Sequence, residues 1–313
     1  MIRFIIRRLF AAVFVMIAVT IITFLLLAAT GNQAARLAGK NATAAQIHQI
    51  SAQYGLDKPI YVQYVKTMKN IFTGKAYSYT QNINVLQEVG HDFPATLSLA
   101  FGAGIIWLLI SILFGTIAAV YAGRYADRIL TILSMAGVSF PPFFLGAIFL
   151  YFLGYKLNWF PLGGYTKLTS NPWEWFKHLV LPWATLSILF IGFYSRVLRA
   201  TILDNTNEDY VRTAHAKGLS DGQVLRRHTL RNSMIPIISL WGLDMGQLLG
   251  GGAILTESVF NLQGVGQLAA TAIANLDVIT IMVIVILTAF AVVLLSAVVD
   301  VLYAVLDPRI RLG

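Results

Sequence analysis

Chemistry needs acids, bases, nucleophiles or ligands held within reach of one another, and this sequence is sparing with all of them. Its 313 residues contain 14 Asp and Glu, five histidines and no cysteine. The lack of cysteine excludes disulfides, iron–sulfur clusters and thiol catalysis. The histidines, His48, His91, His178, His215 and His228, never fall in H-E-x-x-H or another close ligand spacing, so no metal site is expected. No G-x-x-x-x-G-K-[ST] is present to cradle nucleotide phosphates, and no G-x-G-x-x-G follows a strand-like run. These residues therefore predict no catalytic set and no cofactor.

Two places concentrate polarity instead. The first is E-D-Y-V-R-T-A-H-A-K-G-L-S-D-G-Q-V-L-R-R-H-T-L-R-N from Glu208 to Asn232. Asn207 is the expected N-cap of a helix that carries Glu208 and Asp209 at the positive end of its dipole and Lys217 at the negative end. Gly218 then supplies the left-handed residue that closes it. Ser220 with Gln223 forms a capping box for a second helix, and Leu219 with Val224 a hydrophobic staple. The spacing predicts two short helices bent at Gly218, an arrangement that equally suits a solvated linker.

The second place is Asp244, the only charge between residues 232 and 256. Gly242, Gly246 and Gly250 recur every fourth residue and fall within about 80° on a helix, where backbones can approach closely. Asp244 and Gln247 lie opposite them. A carboxylate inside a membrane costs about 2.5–3.5 kcal/mol on insertion scales and faces a cavity or a partner. Asp244 thus either lines a pathway or makes a structural hydrogen bond. Asp300, near Asp307, Arg309 and Arg311, is expected to pair at the interface, and Glu257 likewise.

The elements that must position these residues follow from composition. With 57% hydrophobic residues, 12% charged and a mean hydropathy of +0.71, this is a membrane protein. Apolar stretches consume most of the chain, leaving no room for a large soluble domain; disorder, collagen and a nucleic-acid-binding domain are excluded. Positions 9–29 form a first span, too long for a signal-peptide core although Arg3, Arg7 and Arg8 precede it. Uncharged runs at 93–123, 129–155, 178–195, 232–256 and 278–299, the third beginning at His178 and the fourth broken only by Asp244, make six. The predicted fold is all-α: an anchor helix over 1–30, an extracytoplasmic segment over 31–93, and a core over 94–304. Its spans run at about 95–121, 130–153, 178–196, 233–256 and 278–300, and a tail follows at 305–313. Pro141 and Pro142 should break or kink the third span. In the outer segment Thr43 to Gln46 should cap a short helix through residue 54, with loop beyond. Trp159, Trp173, Trp175 and Trp183 read as interface anchors.

Charge orients the spans. With the N-terminus inside, the inner segments hold 14 Lys and Arg in 63 positions, against 9 in 104 outside, so both termini and the 196–233 loop are expected in the cytoplasm. This bias accounts for the net charge of +9 without any nucleic-acid partner.

The stretch D-Y-V-R-T-A-H-A-K-G-L-S from Asp209 to Ser220 resembles the "EAA" loop of binding-protein-dependent ABC importer permeases, in the form found in the dipeptide and oligopeptide permease family. The "EAA" positions fall on Arg212, Thr213 and Ala214, and the glycine on Gly218. The general importer pattern continues to an Ile and a Leu-Pro; here those positions read His228, then Leu230 and Arg231, a departure similar to that of the peptide branch. I-R-R-L before the first span, Y-G-L-D-K-P at 54–59, F-P-A-T-L at 93–97, S-V-F-N-L-Q-G-V-G-Q-L at 258–268 and D-V-L-Y-A-V-L-D-P-R-I-R at 300–311 also fit that family. T-G-K-A-Y-S-Y at 73–79 departs from it, where a G-D-hydrophobic-G-x-S pattern is expected.

The resemblance implies the type I ABC importer permease architecture in a bacterial or archaeal cytoplasmic membrane. It implies pairing with a homologous second permease, two cytoplasmic ATP-binding subunits and an extracytoplasmic solute-binding protein, with membrane lipid around the spans. Asp209, Tyr210, Arg212, Thr213, Ala214, Lys217, Gly218, Leu219 and Ser220 would form the ATPase-coupling loop. The cargo would be di- or oligopeptides, with nickel or glutathione as alternatives in the same framework. An intramembrane enzyme would need a dyad that the histidines, which avoid the span centres, do not supply. A self-contained ion-coupled carrier would have only Asp244 to use.

The lack of native cysteine makes the orientation easy to probe. Single cysteines at positions 40, 165, 220 and 310 should label from outside intact cells only at 40 and 165; outside labelling at 220 overturns the topology.

Overall fold

In the computed structural model the backbone of residues 2–306 is described, apart from 32 and 40, with side chains for residue 10 and for 13–298 other than those two. The tail beyond Leu306 and the pairing expected of Asp300 lie outside the described residues. Among the described residues every regular element is a helix, and Tyr77 and Asn84 make an isolated antiparallel bridge.

The long α1 (Ile2–Ala29) is followed by the short α2 (Gln33–Ala38) and α3 (Ala44–Tyr54). The Thr43 N–H donates to Gln46 Oε1 at 2.8 Å and the Gln46 N–H to Thr43 Oγ1 at 3.4 Å, so α3 starts at its capping box; Gly55 ends it at φ 72°. The residues beyond are not the loop expected of them. After Pro59 comes α4 (Ile60–Phe72), which buries Thr67 and Ile71. Tyr64 meets Phe24 of α1 edge-on, and its hydroxyl lies 2.8 Å from Thr20 Oγ1. Lys66 and Lys69 lie on its exposed face, opposite a stripe of Tyr64, Met68 and Ile71 that packs into one cluster with Phe24 of α1 and with Val85, so tertiary packing of that stripe is what makes the helix worth forming.

Asn84 accepts the N–H groups of Leu86 and Gln87 and so starts α5 (Val85–Val120), well before the apolar run begins. A tight turn leads to α6 (Tyr125–Ser139). Phe140 and Pro141 are extended, as residues preceding proline must be, and α7 begins at Pro142. α7 (Pro142–Phe149) continues as a π turn through Lys156, and the two halves of this hairpin arm meet at 95°. Asn171 caps α8 (Pro172–Thr206), which runs well past the charge at Arg196.

The core forms where α8 lies against α5 and α6. A Cβ at Gly102 would collide with the Trp183 ring, and one at Gly192 with the Ser134 carbonyl; at Gly137 it would stand 2.9 Å from Ile188 O. Of the four tryptophans expected as interface anchors, one is core instead and a second is partly buried against that core. Trp183 is buried and donates from Nε1 to Ser98 O at 2.9 Å, while Trp175 donates to Ser98 Oγ at 3.1 Å. Trp159 and Trp173 remain exposed.

The chain then forms α9 (Asp209–Ala216) and α10 (Asp221–Val224), passes through a π turn at Leu225–Thr229 and becomes α11 (Leu230–Gln247). A third π turn, Leu248–Gly252, breaks at the left-handed Gly251 (φ 97°) before α12 (Ile254–Val259), α13 (Val265–Ala274) and α14 (Val278–Leu306). Gly246 faces α14, where a Cβ would lie 2.9 Å from Val292 Cα, and Gly250 meets Thr288, whose Oγ1 donates to Gly250 O at 2.6 Å. Gly242 is buried. Val85–Val120, Pro172–Thr206 and Val278–Val298 are each long and apolar enough to cross a membrane, and the bent α6–α7 pair forms a fourth such unit.

Glycine at the α8 contacts should therefore be irreplaceable. Gly192→Ala is expected to cost about 1–3 kcal/mol by overpacking against a backbone carbonyl that cannot swing away. Gly90→Ala, on an exposed helical site with nothing within 4 Å of the new methyl, should gain about 0.5–1 kcal/mol. Thermal unfolding of the detergent-solubilised variants checks both signs.

Candidate functional site

The loop between α8 and α11 is built around its own small core. Val211, Ala214 and Val224 are buried together, with Tyr210 and Leu219 packed against them. Asn207 does not cap α9. It closes α8, whose helix continues unbroken to Thr206, and its Nδ2 donates back to Leu203 O; the residue before α9 is Glu208, in extended conformation. At the far end Lys217 closes α9 and Gly218 is left-handed at φ 83°. The Leu219 N–H donates to Ala214 O at 3.3 Å and the Gly218 N–H to His215 O at 2.8 Å, turning the chain within two residues. The Ser220 N–H donates to Gln223 Oε1 at 3.3 Å in the capping box.

One feature differs from the sequence reading. The second loop helix is not separate: α10 runs through its π turn into α11, so the hinge is confined to residues 207–220 between two long helices. Ala214 faces this internal core, leaving the exposed Asp209, Arg212, Thr213, Lys217 and Ser220 as the outward surface. Arg212 lies 3.7 Å from Asp209, and His215 lies 3.6 Å from Asp221 across the bend.

A charged clip holds the base of α8, and nothing in the sequence singled it out. Arg199 donates from Nε to Asp127 Oδ1 at 2.6 Å and from Nη2 to Oδ2 at 2.7 Å. The Gly123 N–H donates to the same carboxylate at 2.8 Å, tying the α5–α6 turn to it. The Arg199 hydrogen bonds overcome the opposing effect of burial and hold the Asp127 carboxyl down to about 2 from the ordinary 3.8. The two residues are separated by 72 positions, which is why no local pattern reveals them.

Deeper in, Tyr194 is fully buried and donates from Oη to Asp244 Oδ2 at 2.5 Å, joining α8 to α11. Asp244 is half-buried and Gln247 exposed, on a side of α11 that packs less closely than the glycine side. Glu257, expected to pair at the interface, is wholly buried and has no cation beside it among the described residues. Thr96 Oγ1 donates to Oε1 at 2.7 Å and the Gln267 N–H to Oε2 at 3.0 Å. The same Thr96 oxygen accepts the Val265 N–H at 2.9 Å. Gly264 and Gly266 lie where a Cβ would strike this carboxylate, which explains the glycines of the 258–268 stretch. The 73–79 stretch that departs from the peptide-permease pattern closes on Asp277 through Ser78, helped by Thr80 at 3.1 Å. Among the described residues no three His, Asp or Glu side chains converge to hold a metal ion.

Comparison with known proteins agrees over nearly the whole length. Residues 111–312 match the family described as binding-protein-dependent transport system inner membrane component, and residues 1–100 its N-terminal part. A probable peptide ABC transporter permease, y4tP of Sinorhizobium fredii, is 37% identical over 310 residues, covering 98% of this chain and 99% of that one. The probable D,D-dipeptide permease DdpB of Escherichia coli is 37% identical (98% and 97% covered), and its glutathione permease GsiC 34% (99% and 99%). The inward-facing MetNI methionine ABC transporter superposes with a TM-score of 0.54 at 14% identity, over 71% of this chain and 97% of that chain.

The clip should show in the pH dependence of stability. Asp127→Asn is expected to cost about 1–3 kcal/mol near neutral pH. Because the folded carboxyl titrates lower than the unfolded one, its contribution is complete well above 3.8 and lost as pH falls toward about 2. The stability gap between parent and variant should stay level from pH 8 to 5 and narrow below 4; a gap that widens on acidification overturns the assignment.

Proposed function

The chain belongs to the binding-protein-dependent transport system inner membrane components and is a permease subunit of an ABC importer; from that premise we propose that its cargo is a di- or oligopeptide and that residues 206–220 couple it to ATP hydrolysis. The observation that carries the coupling role is the geometry of α9. A two-turn helix with an exposed charged face hangs between α8 and α11 on a left-handed glycine, so a push on α9 reaches two long helices at once.

In this reading α1, α5, the α6–α7 arm, α8, α11 and α14 are six spans of a bacterial or archaeal inner membrane, with both termini in the cytoplasm. The permease pairs with a homologous second permease, two cytoplasmic ATP-binding subunits and an extracytoplasmic solute-binding protein. Closure of the ATP-binding subunits moves α9, and the pathway alternates between outward and inward opening. Asp244 and Gln247 stand on the open side of α11, toward the pathway, while Gly242, Gly246 and Gly250 serve packing. Peptide cargo is supported by relatives named for peptide, dipeptide and glutathione transport, all built on amide-linked backbones.

Gly218 supplies the test. Nothing lies within 4 Å of a Cβ built there, so a substitution acts through backbone strain alone. Gly218→Val should cost about 1–2 kcal/mol in the left-handed region and re-aim the helices it joins. The variant should insert at normal abundance, lose peptide transport and retain little ATPase subunit on purification, whereas Gly222→Ala, exposed and helical, should behave as the parent. The purified chain alone should hydrolyse no ATP. Parental transport by Gly218→Val with the ATPase still bound would move the coupling site elsewhere.

A further inference from the structure

Asn205 lies in the last turn of α8 and uses both ends of its side-chain amide. Its Nδ2 donates to Ser233 Oγ of α11 at 2.9 Å, and its Oδ1 accepts from Tyr210 Oη of α9 at 3.3 Å. Ser233 is fully buried and donates its one hydroxyl hydrogen to Thr229 O at 2.9 Å, so toward Asn205 it can only accept. That requirement fixes the amide with its nitrogen toward α11 and leaves its oxygen for Tyr210. One planar group therefore joins the loop helix to both long helices.

A second bond lies on the same faces. Tyr194 is eleven residues before Asn205 on α8, and Asp244 is eleven after Ser233 on α11. Eleven residues make about three helical turns and rise about 16 Å, which returns to the same stripe of each helix. The Asn205–Ser233 and Tyr194–Asp244 bonds are thus two rungs between antiparallel helices. The π turns at Leu225–Thr229 and Leu248–Gly252 lie outside the rung-bearing stretch of α11, which stays α-helical through Pro236.

We propose that Asn205 is the positioning residue that delivers a displacement of α9 into the membrane, and that α8 and α11 act as a two-runged lever whose far rung is the Tyr194–Asp244 bond. The proposal rests on the reading of residues 206–220 as the coupling loop. Neither Asn205 nor Ser233 stands on the outward face of α9, so their loss should leave the ATPase subunits attached.

The cysteine-free chain permits a test that needs no cargo. A single cysteine replacing the exposed Gln247, one turn beyond Asp244, is labelled with a thiol reagent in the assembled complex, with and without ATP and vanadate, while retention of the ATPase subunits is measured in parallel. The parent should change its labelling rate when trapped. Asn205→Leu, which removes both legs, and Tyr210→Phe, which removes only the α9 leg, should reduce that change by about two- to tenfold, the span of one neutral hydrogen bond. Tyr194→Phe should do the same, and combining it with Asn205→Leu should add nothing further, because one broken rung already interrupts the lever. An undiminished response in Asn205→Leu with its ATPase bound, multiplicative losses in the double variant, or a parent that does not respond at position 247 overturns the lever. Loss of the ATPase subunits from Asn205→Leu also overturns it, by placing Asn205 in the docking surface. If Asn205→Leu fails to insert, Tyr210→Phe decides by the same readout. Failure of the coupling-loop reading looks different, with Gly218→Val keeping both transport and ATPase.

Discussion

Helices surrounded by lipid gain little from excluding water, so they hold through close backbone approach and hydrogen bonds across the contact. In this protein the close seating of α8 supplies both. Gly192 and Gly137 let it lie on α6, where Ser134 and Ser195 meet at 2.8 Å; Gly115 stands so near that a Cβ would be 2.8 Å from Ser195 O, and Gly102 makes room for Trp183 against α5. The C-terminal end of α8 is thereby held in a fixed place, and α9 hangs from that end. A looser α8 would leave the loop with the same local conformation and no firm base from which to act.

The carboxylates follow a division set by the cost of charge. At the α5–α6 turn, Asp127 takes a full cation in the partly exposed Arg199. Asp244, Glu257 and Asp277 instead accept from a phenol, from hydroxyls and from backbone N–H groups. Neutral donors of this kind satisfy the oxygens without bringing a second charge out of water, which is the expensive part of a buried ion pair. They also fix geometry. The Glu257 oxygens draw α5, α12 and α13 together, and the left-handed Asn261 and Gln263 between the last two give the chain the tight course this requires.

Local chemistry was legible wherever neighbours in sequence were also neighbours in space. The capping boxes at Thr43 and Ser220, the left-handed Gly218 and the break at Pro141 and Pro142 all act within a few residues, and each could be read from the chain alone. The all-helical class followed from the apolar runs, because a bilayer offers no partner to an unpaired backbone group. Family membership was carried by motifs in order along the chain, chief among them Asp209 to Ser220.

Tertiary structure decided the rest. Asn207 had the composition of an N-cap but sits in the overrun of α8, and the helix that was already paired kept it. Trp183 and Trp175 read as anchors until their indole nitrogens found Ser98, some eighty positions away. The clip of Asp127 on Arg199, the enclosure of Glu257 by Thr96 and the bridge from Asn205 to Ser233 join residues 72, 161 and 28 positions apart. Periodicity and capping report what a segment prefers by itself; which polar group meets which across a membrane is set by the packing of whole helices, and it exists only once the chain has folded.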